Sequence, residues 1–245
     1  MATETQSIRE IISSHPTAAA VLQRFDIDVC AHANEPLSEA CAGLQLSLEQ
    51  VLEKLKDDEI AGSGLSPEAT AEMSPSRLIQ HIVRVHHRNV RQELPRLTEL
   101  AGVVAAEYGA RMPELTKVAK LLEELRSDML EHIRKEEQVL FPYIAQLDES
   151  PLLAFRPLQQ CFNRVGQPIF MMSQEHEHAK MLVAELCRQT KDFKPPVWAC
   201  ATFLALYEGL RSFSAQLQEH VRLENDLLFP QALAMEAELM RGGAQ

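Results

Sequence analysis

Two stretches of the chain decide its fold: HIRKEEQVLFP, from His132 to Pro142, and HVRLENDLLFP, from His220 to Pro230. Both read His-x-x-x-Glu, followed by Leu-Phe-Pro at the same offset. A further histidine precedes each stretch, His87 by 45 residues and His176 by 44 residues. The chain therefore reads as two copies of a helix pair, in which the first helix contributes one histidine and the second a His-x-x-x-Glu.

Helical periodicity places these polar residues on apolar faces. Positions four apart differ by about 40° around an α-helix, so His132 and Glu136 share one face, as do His220 and Glu224. In each of the four helices the polar residue interrupts a stripe of apolar residues, which is the stripe that faces a core. The spacing therefore predicts that the histidines and glutamates are buried.

The rest of the pattern predicts an all-α protein. No stretch shows the period-2 alternation of half-buried strands, and four long segments show helical spacing. Ser74-Pro75 is a typical helix start, with serine as N-cap and proline at the first helical position. Helices of this length predict an up-down four-helix bundle. The four segments are roughly 75–108, 113–147, 167–191 and 196–226.

The bundle is expected to follow a smaller unit. Residues 1–62 read as a small helical N-terminal domain that carries Cys30 and Cys41. Residues 63–74 read as a linker, because Gly, Ser and Pro interrupt any helical pattern there. Residues 75–245 then form the four-helix bundle.

Composition limits the classes of partner. The formal net charge is −11, and a negative surface repels phosphate backbones and anionic lipid, so we expect neither nucleic acid nor membrane as a partner. The start shows no basic region followed by an apolar core, so no secretory signal is expected. The five cysteines form no Cys-x-x-Cys pair, which favours a reducing, cytoplasmic location.

Cations explain why acidic side chains stand in apolar stripes. A buried carboxylate has a desolvation cost of several kcal/mol, and two facing carboxylates also repel each other. Two metal ions would remove both problems, with the glutamates placed to bridge them and coordination positions left open for small molecules. Histidine and carboxylate ligands suit iron, manganese or zinc. The candidate metal ligands are His87, His132, Glu136, His176, His220 and Glu224.

The competing interpretation is a buried His–Glu hydrogen-bond network, which would require every polar atom to be satisfied. Other polar residues near the repeats are predicted to lie outside the site, in solvent or pointing away from it: His81, His86, Glu137 and His178. The Phe-Pro pairs at 141–142 and 229–230 are predicted to cap the core and to end the regular helices.

Together these motifs resemble the hemerythrin-like domain superfamily, and the whole chain resembles the iron-sulfur cluster repair di-iron protein family, often called RIC. Besides the two repeats, the resemblance rests on HIVRVHHRNVRQELPRL, residues 81–97, and SQEHEHAKML, residues 173–182, where His87 and His176 stand at ligand positions. The stretch SIREIISSHPTAAAVLQRFDIDVC, residues 7–30, followed by LSEAC, resembles the small domain that precedes the family's bundle.

The resemblance implies a hemerythrin-like bundle with two non-haem iron ions, bridged by carboxylates and an oxo group. The four histidines would be terminal ligands, and Glu136 and Glu224 would bridge. It further implies a cytoplasmic stress protein that binds nitric oxide and supports the repair of damaged iron-sulfur clusters. The implied partners are nitric oxide, dioxygen and damaged iron-sulfur proteins, with a homodimer as a further option.

The chain departs from the family at one motif. Family members carry Cys-Cys-Gly-Gly after an Asp-x-Asp-Tyr stretch, whereas this chain reads DIDVCAHA, residues 26–33. Cys30 and Cys41 therefore form a candidate thiol site without an adjacent cysteine pair. Cys30 would act either as a thiolate toward iron or nitric oxide, or as an inert small apolar residue.

Three other functions are weighed against repair. A nitric oxide sink or sensor without repair activity would need no cysteine pair. Reversible oxygen carriage, as in hemerythrins, uses an additional histidine ligand, for which the sequence offers no candidate. A ferritin-like oxidase favours more carboxylates and a Glu-x-x-His spacing, which differs from the His-x-x-x-Glu found here.

Overall fold

The computed structural model describes residues 4–14, 18–29, 31–62, 70–149 and 164–242. Short helices come first along the chain. The first of them begins with a capping box, in which the amide of Ser7 donates to Glu10 Oε2 at 2.9 Å and the amide of Glu10 donates to Ser7 Oγ at 3.3 Å. The short helices are α1 (Ile8–Ser14), α2 (Ala18–Arg24), α3 (Leu37–Gly43) and α4 (Leu48–Gly62).

Four long helical stretches follow, and three of them contain a π-helical segment. The first combines α5 (Pro75–His81), π1 (Ile82–His87) and α6 (Arg88–Tyr108). The second combines α7 (Glu114–Lys135), π2 (Glu136–Leu140) and α8 (Phe141–Glu149). The third is α9 (Gly166–Gln189), and the fourth combines α10 (Ala201–Arg222), π3 (Leu223–Leu228) and α11 (Phe229–Gly242).

The predicted fold class, an all-α helical bundle preceded by a small helical N-terminal region, is confirmed. Within the described ranges the chain forms no strand, and Ser7 and Pro36 make an isolated bridge. The predicted start at Ser74-Pro75 is also confirmed, because Ser74 Oγ accepts a hydrogen bond from the amide of Arg77 at 3.4 Å. None of the described helices combines the length and hydropathy that a bilayer crossing requires.

The fourth helix differs from its predicted range. Its first α-helical residue is Ala201, and the helix continues to Gly242. The prediction that Phe-Pro ends the helices is wrong, because α8 and α11 both begin at the phenylalanine of that pair. Proline has no amide hydrogen to donate. It is tolerated directly after a π turn because the regular backbone hydrogen-bond pattern is already interrupted there.

The described residues fall into two compact units. The first lies within Met1–Gly64, Gln92–Glu124 and Val183–Ala215, and the second within Leu65–Arg91, Leu125–Leu182 and Gln216–Gln245. Residues 63–69 of the predicted linker lie outside the described residues. The domain boundaries expected from the sequence therefore stay a prediction.

Each unit has its own core. In the first unit Phe203 and Tyr207 are among the largest fully buried side chains. There Gly209 permits a close approach of two helices, because a Cβ at this position would lie 2.6 Å from Leu97 Cδ2. The core of the second unit includes Phe141, Ile144, Leu223 and Phe229.

Candidate metal centre

All six predicted ligands lie in the second unit, and each is at most 1% exposed. They form two groups of four donor atoms, and within each group the atoms lie within 4.8 Å of one another. The structure therefore brings together every residue that the repeat singled out. The two groups are named position 1 (His87, Glu136, His220 and Glu224) and position 2 (His132, Glu136, His176 and Glu224).

Position 1 is defined by inward-facing Nε2 atoms. Nε2 of His87 lies 3.3 Å from Oε2 of Glu136 and 3.6 Å from Oε1 of Glu224. Nε2 of His220 lies 2.9 Å from the same Glu224 oxygen. One histidine of each repeat thus faces one oxygen of each glutamate.

Position 2 uses the opposite oxygens. Nε2 of His132 lies 3.4 Å from Oε1 of Glu136, and Nε2 of His176 lies 2.9 Å from Oε2 of Glu224. The two Nε2 atoms are themselves 2.9 Å apart. Each carboxylate therefore presents one oxygen to each histidine pair, which is the arrangement of a carboxylate that bridges two cations.

The donor atoms fit cations better than they fit a self-contained hydrogen-bond network. Among the described residues, no hydrogen-bond partner serves Nε2 of His87 or either oxygen of Glu136. Unsatisfied buried polar atoms are costly, and a His–Glu network would need them satisfied. Donor atoms about 3 Å apart match neighbouring ligands on an ion whose bonds to nitrogen and oxygen measure about 2.0–2.2 Å.

The three π-helical segments coincide with the site. His87 is the last residue of π1, Glu136 is the first residue of π2, and Glu224 lies in π3. Single π turns within α-helices occur frequently at functional sites. A regular α-helical period, on which the predicted helix faces rest, does not reveal these π turns.

When no cation is bound, the charges of the site residues shift one another's pKa values. Burial lowers the pKa of His87, but the adjacent Glu136 and Glu224 carboxylates raise it to about 9. Burial likewise lowers the pKa of His132, and the charges of Glu136 and Glu224, with Glu175, raise it to about 10. Burial and Glu224 raise the pKa of Glu136, yet the neighbouring histidines hold it below its usual value.

Acidic side chains lie at hydrogen-bond distance from the outer nitrogens of two predicted ligands. Nδ1 of His87 lies 2.7 Å from Oε1 of Glu137, whose other oxygen accepts a hydrogen bond from Arg91 at 2.7 Å. Glu137, predicted to face solvent, is therefore a hydrogen-bond partner of a predicted ligand. Nδ1 of His132 lies 2.9 Å from Oε2 of Glu175, and Lys135 donates to the other oxygen at 2.6 Å.

The outer nitrogen of a third predicted ligand, His176, has an uncharged hydrogen-bond partner. Nδ1 of His176 lies 3.1 Å from Oδ1 of Asn225, which also accepts a hydrogen bond from Ser173 at 3.3 Å. Such outer hydrogen bonds fix the ring orientation and tautomer of a metal-binding histidine. The sequence signal for Glu137 and Asn225 is that both directly follow the glutamate of their repeat.

The phenylalanine of each Leu-Phe-Pro motif packs on the ring of a predicted ligand. Phe141 stacks on His87, with ring centroids 5.5 Å apart and an interplanar angle of 15°. Phe229 stacks on His176 at 6.0 Å and 3°. The phenylalanines of the repeated motif therefore support the site directly. They were predicted only to cap the core.

Two further histidines are inside the protein. His81 and His86, predicted to be solvated, are only 9% and 4% exposed. The prediction is wrong because the buried face of a helix is wide, and a residue about 100° from the ligand still contacts a neighbouring helix. His86 stacks on His220, with centroids 5.7 Å apart and an interplanar angle of 17°.

An open cleft reaches the site from one side. It encloses about 420 Å³ and is lined in part by His132, Lys135, Glu175 and His178. His178 is 45% exposed and lies 3.3 Å from Asp128, and it belongs to neither position 1 nor position 2. A small molecule could therefore approach the His132 side of the site.

The candidate thiol site is described only in part. Cys30 lies outside the described residues. Cys41 is buried in α3, and burial raises the pKa of its thiol. The pairing of these two cysteines in a thiol function stays a prediction.

A helical bundle that encloses paired histidine and carboxylate clusters defines a hemerythrin-type cation-binding protein. The family model described as the hemerythrin HHE cation binding domain matches residues 78–232. A second model, ScdA_N, described as a domain of unknown function (DUF542), matches residues 4–59. The chain belongs to the iron-sulfur cluster repair di-iron protein family of the hemerythrin-like superfamily.

Curated relatives match nearly the whole chain. A protein of Citrobacter koseri, named iron-sulfur cluster repair protein YtfE, is 32% identical over 239 residues, which cover 96% of this chain and 100% of the relative. Proteins of the same name from Escherichia coli O157:H7 and from Enterobacter sp. are 32% and 30% identical, with the same coverage.

Proposed function

We propose that the chain holds one iron ion at position 1 and one at position 2, binds nitric oxide there, and supports the repair of iron-sulfur clusters damaged by nitrosative or oxidative stress. The observation that carries this proposal is the division of the Glu136 and Glu224 oxygens between two histidine pairs. The names of the relatives support the repair role.

The protein side chains would have distinct roles. His87, His132, His176 and His220 would be terminal ligands, and Glu136 and Glu224 would bridge the ions, together with an oxo group. When bound, the iron pair would supply open coordination positions and reversible one-electron chemistry. The side chains would orient the ions, neutralise part of their charge and keep bulk water away, since all six are buried.

Metal analysis of protein produced with iron tests the site, together with optical and EPR spectra with and without nitric oxide. We expect two iron ions per chain and a spectral change that saturates with nitric oxide. His176→Ala should reduce the metal content, whereas the control His32→Ala should not, because His32 lies in the first unit, pairs with Glu35 and belongs to neither position. One ion or none per chain would contradict the paired site.

A second experiment tests repair. Purified protein added to an extract with damaged iron-sulfur enzymes should accelerate the recovery of their activity, and the His176→Ala variant should not. The absence of the Cys-Cys-Gly-Gly motif favours an alternative, a nitric oxide sink or sensor. Stoichiometric nitric oxide binding without any acceleration of recovery would leave only that alternative. A stable adduct with dioxygen would instead support oxygen carriage.

A cytoplasmic location is part of the same proposal. The described cysteines Cys41, Cys187 and Cys200 are free thiols, which suits a reducing compartment. The partners would be nitric oxide and damaged iron-sulfur proteins of that compartment. Cell fractionation with a tagged chain would test this, and recovery in the secreted or periplasmic fraction would contradict it.

A further inference from the structure

Among the described residues, the outer nitrogen of His220 has no partner of the kind that the other three predicted ligands have. Nδ1 of His87, His132 and His176 each lies within 3.1 Å of a side-chain oxygen. For Nδ1 of His220, no hydrogen-bond partner exists in the part of the chain that the structure describes, although the ring is only 1% exposed. The four ligands are therefore not equivalent in their surroundings.

The internal repeat identifies the residue that stands in the partner's place. His132 and His220 occupy the same place in the two repeats, and the partner of His132 is Glu175, the residue before His176. The corresponding residue before His87 is His86. It does lie against His220, but it stacks on the ring face at 5.7 Å. An imidazole N–H donates in the plane of its ring, so this contact provides no acceptor.

A second difference at the corresponding positions points the same way. Lys135, which donates to Glu175 at 2.6 Å, precedes the glutamate of the first repeat. Its counterpart in the second repeat is Leu223, which is fully buried. At the corresponding positions of the second repeat, a histidine and a buried leucine thus stand in place of the Glu175–Lys135 ion pair.

This difference bears on metal affinity through the tautomer of histidine. All four ligands direct Nε2 inward, so a neutral ring that binds a cation must carry its proton on Nδ1. At His132 that proton is accepted by a carboxylate, which also makes the ring a stronger donor to the metal. At His220 the proton would be buried with no acceptor among the described residues, which is unfavourable.

We infer that the two positions differ in affinity, that position 2 is the tighter one, and that His86 in the place of a carboxylate is the cause. The inference rests on the proposed paired metal site. His86 and Glu175 are positioning residues, because they act on the metal through His220 and His132. Outer hydrogen bonds of this kind change metal affinity by about 10–100-fold, and we expect a difference of that size.

The test is an equilibrium competition for Fe²⁺ between the full chain and a calibrated chelator under anaerobic conditions. Equilibrium values are needed because the inference concerns affinity, and rates of exchange depend also on access to each position. Wild-type protein should bind two ions in separate steps. Crystals of half-loaded protein, examined by anomalous scattering at the iron edge, should show the ion at position 2.

Two variants separate the inference from a general loss of structure. His86→Glu places a carboxylate beside His220 and should tighten the weaker step by about 10-fold or more, leaving the tighter step unchanged. Glu175→Gln should weaken the tighter step only. Circular dichroism confirms that each variant is folded.

Each outcome of the competition has a separate meaning. Two equal steps in wild-type protein, or iron at position 1 in the half-loaded crystals, would overturn the inference and leave the paired site intact. An unchanged weaker step in folded His86→Glu protein would exclude His86 as the cause. Binding of fewer than two ions in total would instead contradict the proposed function itself.

Discussion

Protons and cations compete for the same nitrogen atoms. The carboxylates raise the pKa of His87 to about 9 and that of His132 to about 10, against the opposing effect of burial. Both rings are therefore protonated on both nitrogens at neutral pH when no metal is bound. A metal that binds Nε2 would have to displace the proton on that atom. We expect metal loading to release protons, and the apparent affinity to rise with pH up to about 9 at position 1, which contains His87, and up to about 10 at position 2, which contains His132. A pH-stat titration with Fe²⁺ measures the release, and loading without release would contradict the prediction.

Glu236 organises a different part of the second unit. It is 6% exposed, and one of its oxygens accepts hydrogen bonds from Tyr143 and from the amide of Val165, each at 2.8 Å. Tyr143→Phe should lower the free energy of unfolding by about 1–3 kcal/mol, because a buried acceptor loses one donor. Chemical denaturation measures this. Glu236→Gln retains an acceptor oxygen and should cost less than Tyr143→Phe.

The sequence could predict which residues meet at the site but not what surrounds them. The repeat singled out His87, His176 and the two His-x-x-x-Glu pairs, since matched spacing places them on matching faces. Glu175 and His86 were not assigned a role, because each contacts a ligand on another helix. Such a contact depends on how the helices pack, and the spacing of residues within one helix does not predict it.

At the scale of elements, the π turns shape the site. A π turn adds one residue to a helical turn, so the flanking α-helices keep their packing while the inserted segment redirects a side chain. Deletion of Gln138, an exposed residue of π2, should convert the segment to regular α-helix and displace Glu136. We expect loss of metal with little loss of helical content, measured by metal analysis and circular dichroism.

The matched control is Gln138→Ala. It removes the hydrogen bond from Arg134 to Gln138 but keeps the number of residues, so metal content should stay unchanged. Retention of both ions after the deletion would show that the π turn is dispensable. Apolar spacing predicts the four helices. It does not reveal a π turn, because one inserted residue leaves the apolar spacing intact on both sides of it.

At the scale of the whole molecule, metal and folding are linked. Four histidines and two glutamates are buried together, and only the folded chain assembles them. A ligand that binds the folded state alone stabilises it by about 3–4 kcal/mol when its free concentration is 100–1,000 times the dissociation constant. We expect chelation to lower the unfolding temperature accordingly, as measured by calorimetry. A double variant with Glu136→Leu and Glu224→Leu should show no metal-dependent shift.

Each position takes one histidine from each repeat, and this sharing has a consequence for ancestry. Two identical helical hairpins related by a twofold axis would already build both positions, but symmetry would force the two ions to have the same surroundings. Fusion of two such hairpins into one polypeptide would remove that constraint. The residues at 86 and 175 can then differ, as histidine and glutamate do here, and two bound ions could be specialised separately.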